Sequence, residues 1–487
     1  MALTSVSHPI TLATLALCGL ASPLMGESIL AVQDRMFIPS DGRSGEQFGA
    51  SCSASEDTLV VGSYRDADNG ISAGGLYTYA RDHSGRWMPS GNITAWDGAE
   101  NDLFGLFIDI DGDTLVTGAI GDSDRGTNSG SVYVYGRPDG INWIPSTKLT
   151  ASDGAAGDSF GGSLALSGRT MLAGAFLDDD RGTDSGSVYV FNADPVGRWH
   201  ESGKLTASDG ASGDHFGLFM DATESTAVIG APNSNGLGAA YVFERLPNGE
   251  WLEMARLSED ALPEGAEFGG AVAISGDTIV IGAPNDDQAG VASGSLFIYQ
   301  READGFWNLQ RKLTASDASL HAQFGRSVVI DGDDMVVCSP YDDDNGAGSG
   351  SAYLFKRNDG GVWLETTKFL ASDGRSGDMF GGFMPAIAGD SVLVGARYAN
   401  HNGADSGAAY LFDLERIQNI ADIASPAGGI GVPDGQVDGD DLLVLFSHWG
   451  GCSPDCTPGS CSGDLNGDCI IDGRDLEILL GQWSDGG

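Results

Sequence analysis

Apolar and polar positions alternate along most of this chain in short runs that break at glycine, serine or aspartate. The run FGGSLALSG (160–168) alternates small and apolar residues and reads as a strand. Ser167-Gly168 supplies a tight turn, and TMLAGAF (170–176) a second strand. Beyond the acidic loop LDDDRGTDSG come SVYVF (187–191), with period two, and RWHESGKLTAS (198–208). Four short strands with turn residues between them predict one antiparallel sheet. No stretch of the unit has helical period, which excludes a helical solenoid.

The unit repeats. Phe-Gly stands at Phe48, Phe104, Phe160, Phe216, Phe268, Phe324 and Phe380, with gaps of 56, 56, 56, 52, 56 and 56 residues. Trp87, Trp143, Trp199, Trp251, Trp307 and Trp363 keep the same register and read as packing residues between units. Seven copies of one unit predict an all-β, seven-bladed propeller of four-stranded antiparallel blades. The seventh unit stops after GAAYLF (407–412), without a Trp or a KLTAS-like strand. The missing strand stands at the other end, where QDRMFIPSDG (33–42) matches STKLTASDG (146–154). The N-terminal segment is therefore expected to supply the outer strand of the last blade, so that no edge is left unpaired.

With Gly-Ala-Pro at 230–232 and 282–284, the Phe-Gly series resembles the FG-GAP repeat of integrin α-chain propellers and their bacterial relatives, over about residues 30–417. Integrin-type repeats place a calcium loop between the two motifs. Here that interval holds only a tight turn such as Asp111-Gly112 or Ser275-Gly276, so that site does not carry over. The resemblance is to the shorter bacterial variant, whose acidic loop follows the Gly-Ala-Pro.

That loop reads D-x-D-x-G-x-(polar). Its candidate cation ligands are Asp66 and Asp68; Asp122, Asp124 and Asn128; Asp178, Asp180 and Asp184; and Asp342 and Asp344. Alternate carboxylates around a glycine turn can converge on one hard cation, and calcium is the expected one. The fourth unit has lost the loop, the fifth has Gln288 at the third position, and the seventh has Ala399 and His401.

Near the C-terminus, Asp464, Asn466, Asp468, Asp472 and Asp475 fall at positions 1, 3, 5, 9 and 12 of an EF-hand-like calcium loop, with Ile470 in the same ligand set. An amphipathic LEILLGQW follows. An upstream copy keeps Asp434, Asp438 and Asp441 and leads into LLVLFSHW. Paired loop–helix units of this kind resemble dockerin modules, which implies calcium binding and a cohesin-like or cell-wall partner for residues 418–487. Cys469 departs from the pattern at the turn-glycine position, and Gly439-Asp440 and Gly473-Arg474 depart at the partner-reading positions.

Composition narrows the partners. The formal net charge is −44 over 487 residues, which disfavours nucleic acid and anionic membrane surfaces. Residues 9–25 are apolar and read as part of a secretory signal over 1–26, so the protein is expected to be secreted or at the cell surface, with no membrane span in the mature chain. Cys452, Cys456, Cys461 and Cys469 fit two disulfides of open pairing, with a zinc site as the alternative, and Cys52 and Cys338 read as buried singletons.

No catalytic constellation stands out. The Gly-x-Ser-x-Gly strings at 70–74 and 157–161 lie inside the repeat, without the strand–turn–helix a nucleophile elbow needs. The expected architecture is a signal (1–26), a propeller (27–417) and a dockerin-like module (418–487). The expected role is non-catalytic binding or adhesion to a protein or glycan on a propeller face. The alternative is an extracellular polysaccharide-processing enzyme or accessory subunit attached through the tail.

Overall fold

The computed structural model describes residues 29–30, 33 and 35–414, apart from 56, 84 and 359. The expected signal and the C-terminal module, with its calcium-loop residues and four cysteines, lie outside these residues.

Seven four-stranded antiparallel sheets form the blades. From the innermost strand outward, blade 1 is Ser51–Ser55, Thr58–Ser63, Gly75–Arg81 and Trp87–Ile93. Blades 2 to 6 repeat this order, ending on outer strands Ile144–Leu149, Trp199–Leu205, Trp251–Leu257, Trp307–Leu313 and Trp363–Phe369. The first strands of successive blades touch all the way round and line a central channel. Blade 7 combines Ala386–Ala388, Ser391–Ala396 and Ala408–Asp413 with Arg35–Phe37 from the other end of the chain. The pairs Arg35↔Leu411, Met36↔Tyr410 and Phe37↔Ala409 set the closing register. Ile29–Leu30 continues outward as a parallel strand on blade 6.

The closing strand reproduces an inter-blade clamp. In blade 3, Glu201 accepts hydrogen bonds from the Ser152 N–H (3.0 Å) and hydroxyl (2.6 Å). Glu253 and Glu365 hold Ser208 and Ser316 in the same way. At the closure Gln33 does this to Ser372, at 3.2 and 3.1 Å.

The core lies between blades rather than within them. One cluster joins Val60, Leu76 and Ile93 of blade 1 to Phe104, Ile108, Leu115 and Tyr133 of blade 2, and another joins Phe37, Leu393 and Leu411 of blade 7 to Cys52, Val61 and Tyr79 of blade 1. Each Phe of the Phe-Gly motif meets an aromatic ring of its blade's third strand edge-on, as in Phe104–Tyr133 (5.3 Å) and Phe160–Tyr189 (5.4 Å). The glycines let the backbones approach. Gly62 lies against the Gly105 carbonyl of the next blade, where an added Cβ would sit 2.1 Å from that oxygen. Cys52 and Cys338 are both buried and unpaired, as expected. Trp87, Trp307 and Trp363 are buried and the other three are half-buried. An arginine from the third strand lies over several of them, including Arg81 on Trp87 and Arg137 on Trp143, each at 4.9 Å.

Candidate functional site

The acidic loops connect second to third strands, and they lie on the face where the innermost strands begin. The carboxylates do converge there, and a lysine of the outer strand stands at their focus. In blade 3 the Asp178 side chain accepts hydrogen bonds from the Asp180 N–H (3.0 Å), the Ser187 hydroxyl (3.0 Å) and the Tyr189 hydroxyl (3.0 Å). Lys204 Nζ lies 3.0 Å from Asp178, 2.7 Å from Asp180 and 3.0 Å from Asp153. Lys148 makes the same contacts in blade 2, with Asp122 (2.6 Å), Asp124 (2.8 Å) and Asp97 (2.9 Å). Lys368 does so in blade 6, with Asp342 (2.9 Å), Asp344 (2.7 Å) and Asp317 (2.5 Å). Burial opposes these ammonium charges, but the surrounding carboxylates outweigh it and hold all three lysines above the usual range.

In blades 2, 3 and 6 the candidate ligands are therefore brought together around a lysine ammonium group. Oxygens of Asp317, Asp342 and Asp344 lie within 4.8 Å of one another, yet the point they share belongs to an ammonium group. Blade 5 keeps the lysine–aspartate pair alone, Lys312 to Asp286 at 2.5 Å. Blade 4 substitutes Arg256 on Asp209 (3.1 Å), and blade 7 places His401 on Asp373 (3.3 Å).

Blade 1 departs from this. Asn92 pairs with Tyr77 in the register where Lys148 pairs with Tyr133. Asp66 keeps its bonds from the Asp68 N–H (2.9 Å) and the Tyr77 hydroxyl (2.8 Å), and Tyr77 also reaches Asp41 at 3.3 Å. Asp68 pairs with Arg43 at 3.2 Å.

Asn128 and Asp184 were expected beside these carboxylates, and their backbones form the junction to the next blade. Both adopt left-handed φ angles, 54° and 55°. Their carbonyls accept the N–H groups of Ser159 (3.2 Å) and His215 (3.3 Å) in the next blade. Asn and Asp tolerate this conformation better than most residues, so the same chemistry that suggests a ligand also suits a turn. Ser72 and Ser159, the centres of the two Gly-x-Ser-x-Gly strings, sit in the same left-handed junctions at 54° and 55°.

The channel holds two carboxylates that sequence reading missed. Asp109 accepts hydrogen bonds from the Ile110 N–H (2.8 Å), the Leu166 N–H of blade 3 (2.7 Å) and the Ser53 hydroxyl of blade 1 (3.3 Å). Asp221 accepts from the Ala222 and Ile274 N–H groups, both at 2.8 Å, and so ties blade 4 to blade 5. They line a cavity of about 190 Å³. Burial pushes Asp109 up to about 7, against its hydrogen bonds and with help from Asp221, and pushes Asp221 up to about 6. A repeat alignment carries the signal: sister units have Ser53, Ala165, Ala273, Val329 and Pro385 at this position.

Comparison with family models matches the FG-GAP repeat seven times, at residues 32–79, 87–135, 143–191, 199–243, 251–299, 307–355 and 363–412. Comparison with curated proteins gives no match. Among solved structures, the crystal structure of a protein from Lactobacillus plantarum, a structural-genomics target, aligns at 13% identity with a TM-score of 0.45. That alignment covers 67% of this chain and 86% of the other.

Proposed function

The chain belongs to the FG-GAP repeat family, and on that premise we propose that it is an exported, non-catalytic binding or adhesion protein whose propeller face contacts a protein or glycan. One observation carries the reading: the charged groups best placed for chemistry are spent on holding the ring. Asp109 and Asp221 each give both oxygens to main-chain N–H groups, and the loop aspartates of blades 2, 3 and 6 hold a lysine. A general acid or base needs a proton position open to a substrate.

Calcium in this reading goes to the EF-hand-like loops, with Asp464, Asn466, Asp468, Ile470, Asp472 and Asp475 as the stronger set and Asp434, Asp438 and Asp441 as the second. In the propeller blade 1 is the favoured place, because Asp66 has no lysine beside it and Asp68 pairs with the exposed Arg43 instead. The tail then serves as the attachment point.

Array binding with and without chelator, run beside a reducing-sugar assay on extracellular polysaccharides, tests the proposal. Calcium-sensitive binding without turnover is expected. Sugar release that disappears in Asp109→Asn would replace this reading with an enzyme. For the tail, calorimetric calcium titration of the full chain should lose a binding step in the Asp464→Ala, Asp468→Ala double variant. An unchanged titration would end that assignment.

A further inference from the structure

The repeat is broken at the mouth of the channel. Three residues after the motif Phe, four blades carry a small residue: Ser51, Ser163, Ala271 and Ser327. The serines donate to the motif-glycine carbonyl of the next blade, Ser51 to Gly105 (2.7 Å), Ser163 to Gly217 (2.5 Å) and Ser327 to Gly381 (3.2 Å). Blades 2, 4 and 7 place Phe107, Phe219 and Phe383 there and forgo that bond. The three rings converge across the ring axis, with centroids 5.3 Å apart for Phe107–Phe383 and 6.4 Å for Phe219–Phe383.

Above them opens a cavity of about 400 Å³, at the lower end of the about 300–1,000 Å³ range of ligand clefts. Its polar lining consists of planar groups held in pairs. His215 Nδ1 and Asn233 Nδ2 are 3.0 Å apart, and Arg326 donates to Glu267 at 2.8 Å. Arg326 also departs from the repeat, since its counterparts are Ala50, Leu106, Gly162, Leu218, Gly270 and Gly382.

We propose that this mouth binds a neutral sugar residue at the end of a glycan. An aromatic floor accepts the apolar C–H face of a pyranose ring, while fixed side chains with adjacent donors and acceptors match vicinal hydroxyls. Charge excludes an anion: Glu267 already balances Arg326, and the molecule as a whole carries −44. The proposal rests on the reading of the propeller as a binding protein, and it supplies the place and the ligand class.

The test is saturation-transfer NMR and calorimetry on the full chain with glucose, galactose, mannose and N-acetylglucosamine, each at millimolar concentration. At least one sugar should bind. Its affinity should fall at least tenfold in Phe219→Ala, Phe383→Ala and at least fivefold in Arg326→Gln, Glu267→Gln, which leaves the floor intact and guards against a folding artefact. Phe306→Ala, an exposed aromatic on a distant turn, should bind as the wild type does. Absence of binding to every sugar overturns the proposal. So does a sugar that binds equally to both mouth variants, although the broader binding reading would survive that result. Array binding to proteins alone would likewise remove the sugar and keep adhesion.

Discussion

Replacing Gly130 by alanine would place a carbon 2.1 Å from the Phe160 carbonyl, at a backbone φ of +81°. The clash is with main chain, which cannot step aside, so a loss of about 2 kcal/mol or more in urea unfolding is expected. Lys204 makes a different kind of contribution. Its ammonium contacts three carboxylates, one of them, Asp178, only 5% exposed. Lys204→Met leaves that charge buried and uncompensated, which costs on the order of 3 kcal/mol when a buried pair is broken. Added calcium should restore part of the loss, because the oxygens then lack their lysine; equal melting curves with calcium and with chelator would refute this. The lysine was hard to read from sequence because it stands 26 residues beyond Asp178 and 51 beyond Asp153, on a different strand. Its KLTAS setting did recur with the loops, and Asn92 marked the unit that lacks it.

The strands were legible because each carries its own signal: period-two alternation, a glycine turn, and a motif repeated seven times. The third unit illustrates this, since the expected strands at 170–176 and 187–191 are found at Thr170–Ala175 and Ser187–Ala193. The first strand is shorter than its alternating pattern, Leu164–Ser167, because the preceding Phe-Gly is used as an inter-blade bridge to Gly130. Closure was legible for the same reason, as the segment at Gln33–Gly42 repeats a strand missing elsewhere. The closing element can be tested on its own. Phe37 is buried against Tyr79, with ring centroids 4.3 Å apart. Phe37→Ala should cost about 3–5 kcal/mol and should raise the rate of limited proteolysis near blades 7 and 1 before the other blades. Uniform acceleration in all blades would mean that the ring opens as a whole rather than at its seam.

For the molecule as a whole, pH acts through the channel. Asp109 and Asp221 are raised to about 7 and about 6 from a usual value near 3.8, so the folded protein holds protons that the unfolded chain releases. Their contribution is therefore most favourable below about pH 4 and is lost as pH rises through 6 and 7. The difference in melting temperature, wild type minus Asp109→Asn, Asp221→Asn, should shift toward the wild type as pH is lowered from about 8 to about 5. A flat difference would show that the channel carboxylates stay solvated. The channel and its aromatic mouth were the least legible parts, because what distinguishes them is departure from the repeat rather than the repeat itself.

Pairing Phe37 with Ala409 also imposes an order on biosynthesis. The residues that seal the molecule emerge early from the ribosome, and their neighbours emerge about 370 residues later. Until then the early strand has no strand to pair with and the growing arc keeps two raw flanks. Completion must wait for the last blade, so a chain interrupted before it is a natural substrate for quality-control proteases.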